Sequence, residues 1–361
     1  MACALELGRR GLGRTHPNPA VGAVVVRAGR VVGRGWHARA GEAHAEIVAL
    51  RDAGARARGA TLYCTLEPCT TSGRTPPCVG AVISSGVRRV VVGTIDPHPR
   101  VRGRGLRALR AAGIEVSSGI EESAARELIR GFVSVVTRGR PWVRLKLGTS
   151  LDGRIATRSG DSRWVTGAAA RARVHLWRDE FDGVLVGSGT ALADDPLLTC
   201  RRRGGRDPVR IVLDRRLRLP VGARMLVDGR SPVWIVTDGR APPVRRRRLE
   251  AAGARVLVVT PAPSVAWIDT VLGELARQGL TSLLVEGGAG IAAALVVADR
   301  VDEFALFQAP LLIGADGVPI IEGMGVTRLS DAPRLACVAT ERIGSDVLLC
   351  FERATVRRRQ A

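Results

Sequence analysis

Lysine is almost missing from this chain. Of its 55 lysine and arginine residues, Lys146 alone is lysine. Arginine everywhere else indicates a compositional bias of the source. The lone exception marks a position where a compact ammonium serves and a planar guanidinium does not. Long hydrophobic runs are also missing. The most apolar stretches, such as Ala289 to Ala298, are roughly half the length that crosses a bilayer, so a membrane partner is not expected. The first residues, Met1-Ala2-Cys3-Ala4-Leu5-Glu6, place an acid inside a very short apolar segment and do not read as a secretion signal. Seven cysteines, an odd number, argue against a disulfide scaffold and for a reducing, cytoplasmic setting. Internal repeats and low-complexity linkers are absent, which excludes solenoids and disordered tethers.

What is present is a chain of 361 residues, enough for two domains with a core each, and a net charge of +21. The charge invites a nucleic-acid reading. Against it, the positive excess divides almost equally between residues 1–139 and 140–361. The short runs Arg201 to Arg203, Arg245 to Arg248 and Arg357 to Arg359 read as solvated faces, and no nucleic-acid partner is expected. A basic surface equally suits small anionic phosphate substrates.

The two halves meet near Thr137-Arg138-Gly139-Arg140-Pro141. In the first, a short helix over Ala4 to Arg10 precedes a hairpin, Gly22 to Val26 and Arg30 to Gly33, turned at Ala28-Gly29. A helix from about Ala43 to Ala53, a strand at Ala60 to Leu66, a helix at Cys78 to Ser84 and a strand at Arg89 to Gly93 follow. The second half alternates strands (beginning at Trp142, Gly183, Val209, Val233, Arg255 and Ser282) with helices (beginning at Ala168, Val244, Ile268 and Gly290). Late strands lie at Asp302 to Gln308 and Asp346 to Phe351. This alternation predicts two α/β layered domains.

The strongest chemical signal is His44-Ala45-Glu46 followed by Pro68-Cys69 and Cys78. One imidazole and two thiolates can hold zinc at three corners and leave a fourth for water, whereas a closed structural site needs four protein ligands. Helix starts near His44 and Cys78 favour negative charge, which helps a thiol ionise. Glu46 is not needed as a ligand and can carry a proton between water and a leaving amine. This is the arrangement of zinc deaminases acting on nucleobases and related rings. Buried core cysteines and histidine are the bland alternative, but they leave Glu46 without a task. In the second half, Gly187-Ser188-Gly189-Thr190 and Val285-Glu286-Gly287-Gly288-Ala289-Gly290 follow strands and can bring peptide N–H groups to a phosphate. Neither is a dinucleotide fingerprint, and alone each is as often a tight turn.

Taken together, His16-Pro17-Asn18-Pro19-Ala20-Val21-Gly22, Gly35-Trp36-His37, His44-Ala45-Glu46, Thr65-Leu66-Glu67-Pro68-Cys69, Gly73-Arg74-Thr75-Pro76-Pro77-Cys78 and Asp96-Pro97 resemble the bifunctional deaminase-reductases of riboflavin biosynthesis. Lys146 to Gly153, Asp161 to Gly167, Asp194 to Thr199 and Val285 to Gly288 extend the likeness over nearly the whole chain. The resemblance implies a cytidine-deaminase-like α/β/α layered domain over 1–139 and a dihydrofolate-reductase-like α/β domain over 140–361. It implies zinc on His44, Cys69 and Cys78, with Glu46 as the catalytic proton carrier and Asn18 on the pyrimidine. For NADPH it implies Thr149, Trp164, Thr190, Asp194 and the stretch Gly288-Ala289-Gly290-Ile291-Ala292-Ala293-Ala294. For the substrate it implies Ser162, Arg178, Leu198, Arg201 and Glu286, with Lys146 or Glu286 handling a proton or stabilising charge. The implied substrate is a pyrimidine ribose phosphate, first deaminated and then reduced from ribosyl to ribityl. A homo-oligomer is expected.

Three places depart from the family's pattern. Thr70-Thr71-Ser72 lacks a histidine usual there, His98 replaces an asparagine, and Arg215 stands where a small polar residue is expected near the cofactor phosphate. The first two motivate two rival readings: a paralogue acting on a related pyrimidine, and a reductase whose deaminase half is impaired. A third rival, a nucleic-acid-editing deaminase, has no use for the second half.

Overall fold

The computed structural model describes residues 1–71 and 76–354. Ser72, Gly73, Arg74, Thr75 and the run Arg357 to Arg359 lie outside the described residues. The chain folds as two compact units. One is Met1–Pro141 with Gly279–Thr281; the other is Trp142–Gln278 and the residues from Ser282 on.

The first unit opens with α1 (Ala2–Arg9) and the antiparallel pair β1 (Gly22–Arg27) and β2 (Arg30–Trp36). Ala28 and Gly29 turn the hairpin with φ of 46° and 74°, the two left-handed residues that a tight turn of this twist requires. Then come α2 (Ala45–Ala53), β3 (Thr61–Leu66), α3 (Cys78–Ser84), β4 (Arg89–Thr94), α4 (Arg104–Ala111), β5 (Glu115–Ser118), α5 (Glu122–Leu128) and α6 (Arg130–Arg138). The sheet order is β2-β1-β3-β4-β5, with β3, β4 and β5 parallel. The core is built of small residues: Ala23, Val25, Ala45, Ala49, Leu62 and Val90 among them are fully buried. Residues 95–141, where no elements were expected, supply α4, β5, α5 and α6.

Small residues let α2 lie unusually close to β2. A Cβ on Gly33 would stand 2.3 Å from the Ala49 carbonyl oxygen, and one on Gly35 would stand 2.3 Å from that of Ala45. Both obstacles are helix backbone, which cannot yield like a flexible side chain. The start of α2 is thereby held at a fixed depth against the sheet.

The second unit contains β6 (Trp142–Thr149), β7 (Arg154–Ala156), α7 (Ala168–Glu180), β8 (Gly183–Gly187), α8 (Ser188–Asp194), β9 (Val209–Leu213), α9 (Arg224–Val227), β10 (Val233–Thr237), α10 (Pro243–Ala251) and β11 (Arg255–Val258). It continues with α11 (Trp267–Arg277), β12 (Ser282–Glu286), α12 (Ala289–Val297), β13 (Glu303–Gln308), β14 (Val318–Pro319), β15 (Leu335–Ile343) and β16 (Asp346–Arg353). Nine strands form one sheet, in the order β11-β10-β9-β8-β12-β6-β13-β16-β15. The run from β11 to β13 is parallel, and β16 and β15 close it antiparallel. The strands β8, β9 and β10 are apolar, as covering on both faces demands, except for the buried Arg210 of β9, which pairs with Asp228 at 2.7 Å. Edge strand β15, short in apolar alternation and absent from the expected elements, is exposed along eight of its nine residues. Among the described residues no helix is long and apolar enough to cross a membrane.

Gly35→Ala is expected to destabilise the first unit by about 1–3 kcal/mol through overpacking. Gly80→Ala, at an open mid-helix position of α3 with no atom within 4 Å of its would-be Cβ, is expected to stabilise by about 0.5–1 kcal/mol. Chemical denaturation of the two variants checks the pair of opposite signs.

Candidate active sites

In the first unit, two helices begin at one point. His44 is the N-cap of α2, with extended backbone, so it sits one residue before the helical turn expected to carry it. Cys78 is the first residue of α3. Nδ1 of His44 lies 3.2 Å from Sγ of Cys78 and 3.6 Å from Sγ of Cys69. The Cys78 N–H donates to Cys69 Sγ at 3.3 Å. Among the described residues these three form the metal-type cluster, with all ligand atoms within 4.8 Å of one another. A tetrahedral zinc places N and S ligands about 3.6 Å apart and two sulfurs about 3.8 Å apart. The trio therefore fits the ion with little movement.

The electrostatics agree with a ligand set waiting for a cation. The hydrogen bond from the Cys78 thiol and the neighbouring His44 draw Cys69 down to about 4, against the cost of burial. Cys78, facing that thiolate and buried, is pushed strongly up. Burial pushes Glu46 up to about 7. Glu46 is 4 % exposed and sits on the wall of a cavity of about 520 Å³ shared with Asn18, His37, His44 and Cys69.

Other walls of that cavity escaped the sequence reading. Asn18 Nδ2 and His37 Nε2 are 3.2 Å apart, and His37 Nδ1 is 3.2 Å from the Ala43 carbonyl oxygen. His37 thus ties the asparagine to the segment leading into His44. Asp96 is raised to about 6 by burial and accepts the His98 N–H at 2.7 Å. Glu67 is buried, and its carboxylate accepts N–H bonds from Asp96 (3.1 Å), Gly103 (2.8 Å) and Gly105 (2.9 Å). An acid ending an apolar strand was the available signal for it. Thr71 and His98, both departures from the family pattern, face the same cavity together with Arg100.

The second unit holds a cleft of about 1590 Å³ at the carboxyl ends of its parallel strands. Lys146 on β6 and Glu286 on β12 are register partners and both face the cleft. Arg178 from α7 grips Glu286 with Nε at 2.6 Å and Nη2 at 2.8 Å, and also donates to the Thr199 carbonyl at 3.0 Å. Burial opposes the charge on Glu286, but the charge and paired bonds of Arg178 outweigh it and hold the carboxyl below its ordinary range. Burial lowers Lys146, with Glu286 opposing. The pair Arg144–Glu303, at 2.9 Å, is buried to the same degree but faces aromatic rings rather than the cleft. Burial of a charge pair alone does not mark a site.

Ser162, Trp164, Thr190, Asp194, Leu198 and Arg201 also face the cleft. So do Gly288, Ala289, Gly290, Ile291 and Ala294. Ala292 and Ala293 do not belong to its wall and are buried instead. The expected stretch was read as continuous, whereas a helix turns successive residues to different sides, so the middle of α12 packs inward. Thr149 is likewise off the wall; its hydroxyl donates to the Arg154 carbonyl at 3.2 Å. His175 was missed. It lines the cleft next to Arg178, with Nδ1 3.2 Å from the Thr199 carbonyl oxygen.

A metal-ready deaminase-type site and a separate reductase-type cleft define the class, and similarity to known proteins agrees. Residues 1–94 match the family described as the cytidine and deoxycytidylate deaminase zinc-binding region. Residues 141–349 match the RibD C-terminal domain. The riboflavin biosynthesis protein RibD of Bacillus amyloliquefaciens is 43% identical over 351 residues, 97% of this chain and 94% of that protein. That of Escherichia coli K12 is 42% identical, covering 97% of each. The structure of Acinetobacter baumannii RibD superposes with a TM-score of 0.88 at 38% identity, over 98% of this chain and 97% of that one. A Thermotoga maritima structure titled diaminohydroxyphosphoribosylaminopyrimidine deaminase/5-amino-6-(5-phosphoribosylamino)uracil reductase gives 0.86 at 36% identity, over 98% and 97%. The chain belongs to the RibD family, the bifunctional deaminase-reductases of riboflavin biosynthesis.

Zinc requires a neutral His44 and two thiolates. In the metal-free protein Cys69 is already drawn down to about 4, whereas Cys78 and His44 are raised. Zinc uptake near pH 7 is expected to release about one to two protons, and affinity is expected to fall as pH drops. Calorimetric titration in buffers of different ionisation enthalpy counts these protons; no release would contradict this ligand set.

Proposed function

We propose that residues 1–139 hydrolytically deaminate 2,5-diamino-6-(ribosylamino)-4(3H)-pyrimidinone 5′-phosphate and that residues 140–361 reduce the ribosyl group of the product to ribityl with NADPH. The observation that carries the first half is the convergence of His44, Cys69 and Cys78 within 4.8 Å, with buried Glu46 on the same cavity wall. Zinc, when bound, supplies the Lewis acidity that makes a water nucleophilic near neutral pH. Glu46 accepts the proton of that water and passes it to the departing amine. A carboxyl raised to about 7 can do both, since it holds and yields a proton with similar ease at working pH. Asn18, held by His37, offers its amide to the pyrimidine.

In the second half, NADPH supplies the hydride. The acceptor is C1′ of the ribosylamino group in its open-chain imine form, and the imine nitrogen must gain a proton. Lys146 donates it, because burial weakens its hold on the proton. Glu286 stays ionised under Arg178 and holds the ammonium in place. Ser162, Leu198 and Arg201 face the substrate, and guanidinium forks suit its phosphate. Thr190 and the turn at Gly287-Gly288 lie where a cofactor phosphate meets peptide N–H groups.

A second reading is a paralogue that deaminates a related pyrimidine. It is favoured by Thr71 and His98, which line the deaminase cavity where the family carries other residues. Placement in the cytoplasm is supported by seven free cysteines. Homo-oligomer formation is supported by β15, an exposed sheet edge carrying Leu335 and Val338 at 40% and 53% exposure, a surface that invites strand pairing.

Turnover of the diaminopyrimidine phosphate with zinc and NADPH, following ammonia and NADPH oxidation separately, tests the assignment. Glu46→Ala is expected to lower ammonia release by at least about a hundredfold. It should leave zinc content and reduction of the deaminated intermediate intact. Ammonia release unchanged in that variant removes Glu46 from the mechanism. Wild-type enzyme that binds zinc but releases no ammonia from this substrate favours the paralogue. Light scattering is expected to give a mass above that of one chain, and Val338→Glu is expected to reduce it. A monomeric wild type excludes the oligomer.

A further inference from the structure

Arg210 puts a charge in the middle of a parallel strand. It stands on β9, is fully buried, and none of the chemistry above uses it. Its Nη1 donates to both carboxylate oxygens of Asp228, at 2.7 and 2.8 Å, and to the Leu197 carbonyl at 3.3 Å. Its Nη2 donates to the Ser231 carbonyl at 2.5 Å. Asp228 directly follows α9, and the N–H of Arg224, at the start of that helix, donates to Asp195 Oδ1 at 2.9 Å. One four-residue helix and one guanidinium therefore bracket the segment Asp195-Pro196-Leu197 from both ends.

The bracketed segment is part of the reductase cleft, whose wall includes Pro196, Leu197 and Leu198. Its backbone needs holding. Asp195 and Leu198 have φ of 40° and 54°, the left-handed region that residues other than glycine rarely adopt. The carbonyls on either side of Leu198 are each gripped by an arginine. Arg178 takes that of Thr199 at 3.0 Å and itself faces the cleft. Arg210 takes that of Leu197 from within the core and is not part of the cleft wall.

Stability does not account for Arg210. An ion pair buried in an apolar layer regains little beyond its desolvation cost, and an aliphatic residue would fill the strand as Val209 and Ile211 do on either side. The same unit holds a second buried pair, Arg144–Glu303. There the guanidinium stacks on Trp142, Trp177 and Phe181, rings that do not line the cleft. Arg210 differs in giving a hydrogen bond to the main chain of the cleft wall itself.

We propose that Arg210 is a positioning residue for the reduction: through the Leu197 carbonyl it sets the left-handed turn at Leu198, and so the apolar contact that Leu198 offers to the substrate. The inference rests on the reductase reading above, in which Leu198 faces the substrate. Asp228 aims the guanidinium, and the tie from Asp195 to α9 fixes the other end of the segment. Without Arg210 the Leu197 peptide can rotate, Leu198 leaves its place, and substrate is held loosely. The Gly287-Gly288 turn, on another strand, keeps its geometry.

Steady-state reduction of the deaminated intermediate by the full chain, with NADPH affinity measured separately by titration calorimetry, tests this. Arg210→Lys keeps a charge beside Asp228 but cannot reach all three partners. It is expected to raise KM for the intermediate about five- to twentyfold and to lower kcat less than about threefold. NADPH affinity and ammonia release should stay within about twofold of wild type. Asp228→Asn, which loosens the aim of Arg210, should raise KM by a smaller factor. Arg144→Lys, which breaks the other buried pair, should lower resistance to denaturant yet leave KM within about twofold. Leu198→Ala should raise KM by itself, and adding Arg210→Lys to it should raise KM no more than about twofold further, since one acts through the other. The proposal is overturned if Arg210→Lys and Asp228→Asn fold and keep the wild-type KM, if NADPH affinity falls in step with substrate affinity, or if the Arg210 and Leu198 factors multiply. Failure of both Arg210→Lys and Asp228→Asn to fold makes Arg210 a core residue only and overturns it equally. Wild type that binds NADPH but does not reduce the intermediate overturns the reductase reading, and the proposal with it.

Discussion

The Glu67 carboxylate is the fastening on which the deaminase unit depends. It directly follows β3, is cut off from water, and gathers peptide N–H groups from the segment after β4 and from the start of α4. Cys69 is two residues further on, and Asp96, whose N–H it holds, is a wall of the substrate cavity. One acid therefore fixes both a metal ligand and a piece of the pocket. A Cβ on Gly105 would stand 2.2 Å from the Pro68 carbonyl oxygen, so α4 can approach this corner only through glycine. On the opposite side, Gly33 and Gly35 set the depth of α2, and with it His44 and Glu46. The ligand geometry is thus assembled by backbone proximity rather than by large side chains, which suits a core made mostly of alanine and valine.

The reductase unit solves a different problem. Its cleft holds charges in a place that strips them of water. Arg178 and Glu286 meet in a paired fork, so each satisfies the other's hydrogen bonds, and Lys146 sits beside them. A buried cation without such a partner would be costly. The same unit carries Arg144–Glu303 between adjacent strands, where stacked aromatic rings leave no opening. The contrast between the two pairs is one of access, not of strength.

Much of this was legible in the residues. The metal trio and Glu46 could be read because a tetrahedral ion dictates residue types and order, and a helix start fixes the spacing between His44 and Glu46. The α/β layering could be read because strands and helices alternate along both halves. Less could be read where the cause is tertiary. Residues 104–138 form three helices whose sequences are interrupted by arginine and glycine, and their inward faces exist only because β4 and β5 are there to receive them. Ala292 and Ala293 lie off the cleft wall because successive residues of a helix turn to different sides. Glu67 is the plainest case: an acid after an apolar strand could be seen, but not that four peptide groups would turn toward it.

Near-exclusive use of arginine leaves Lys146 as the chain's one side-chain amine. That amine lines the cleft, partly shielded and less basic than usual. Apart from the terminal amino group, an amine-selective reagent finds a single side chain on the whole protein, and that side chain lines the large cleft of the second unit. The molecule consequently comes with a built-in chemical reporter of occupancy, which most enzymes, crowded with lysines, do not offer.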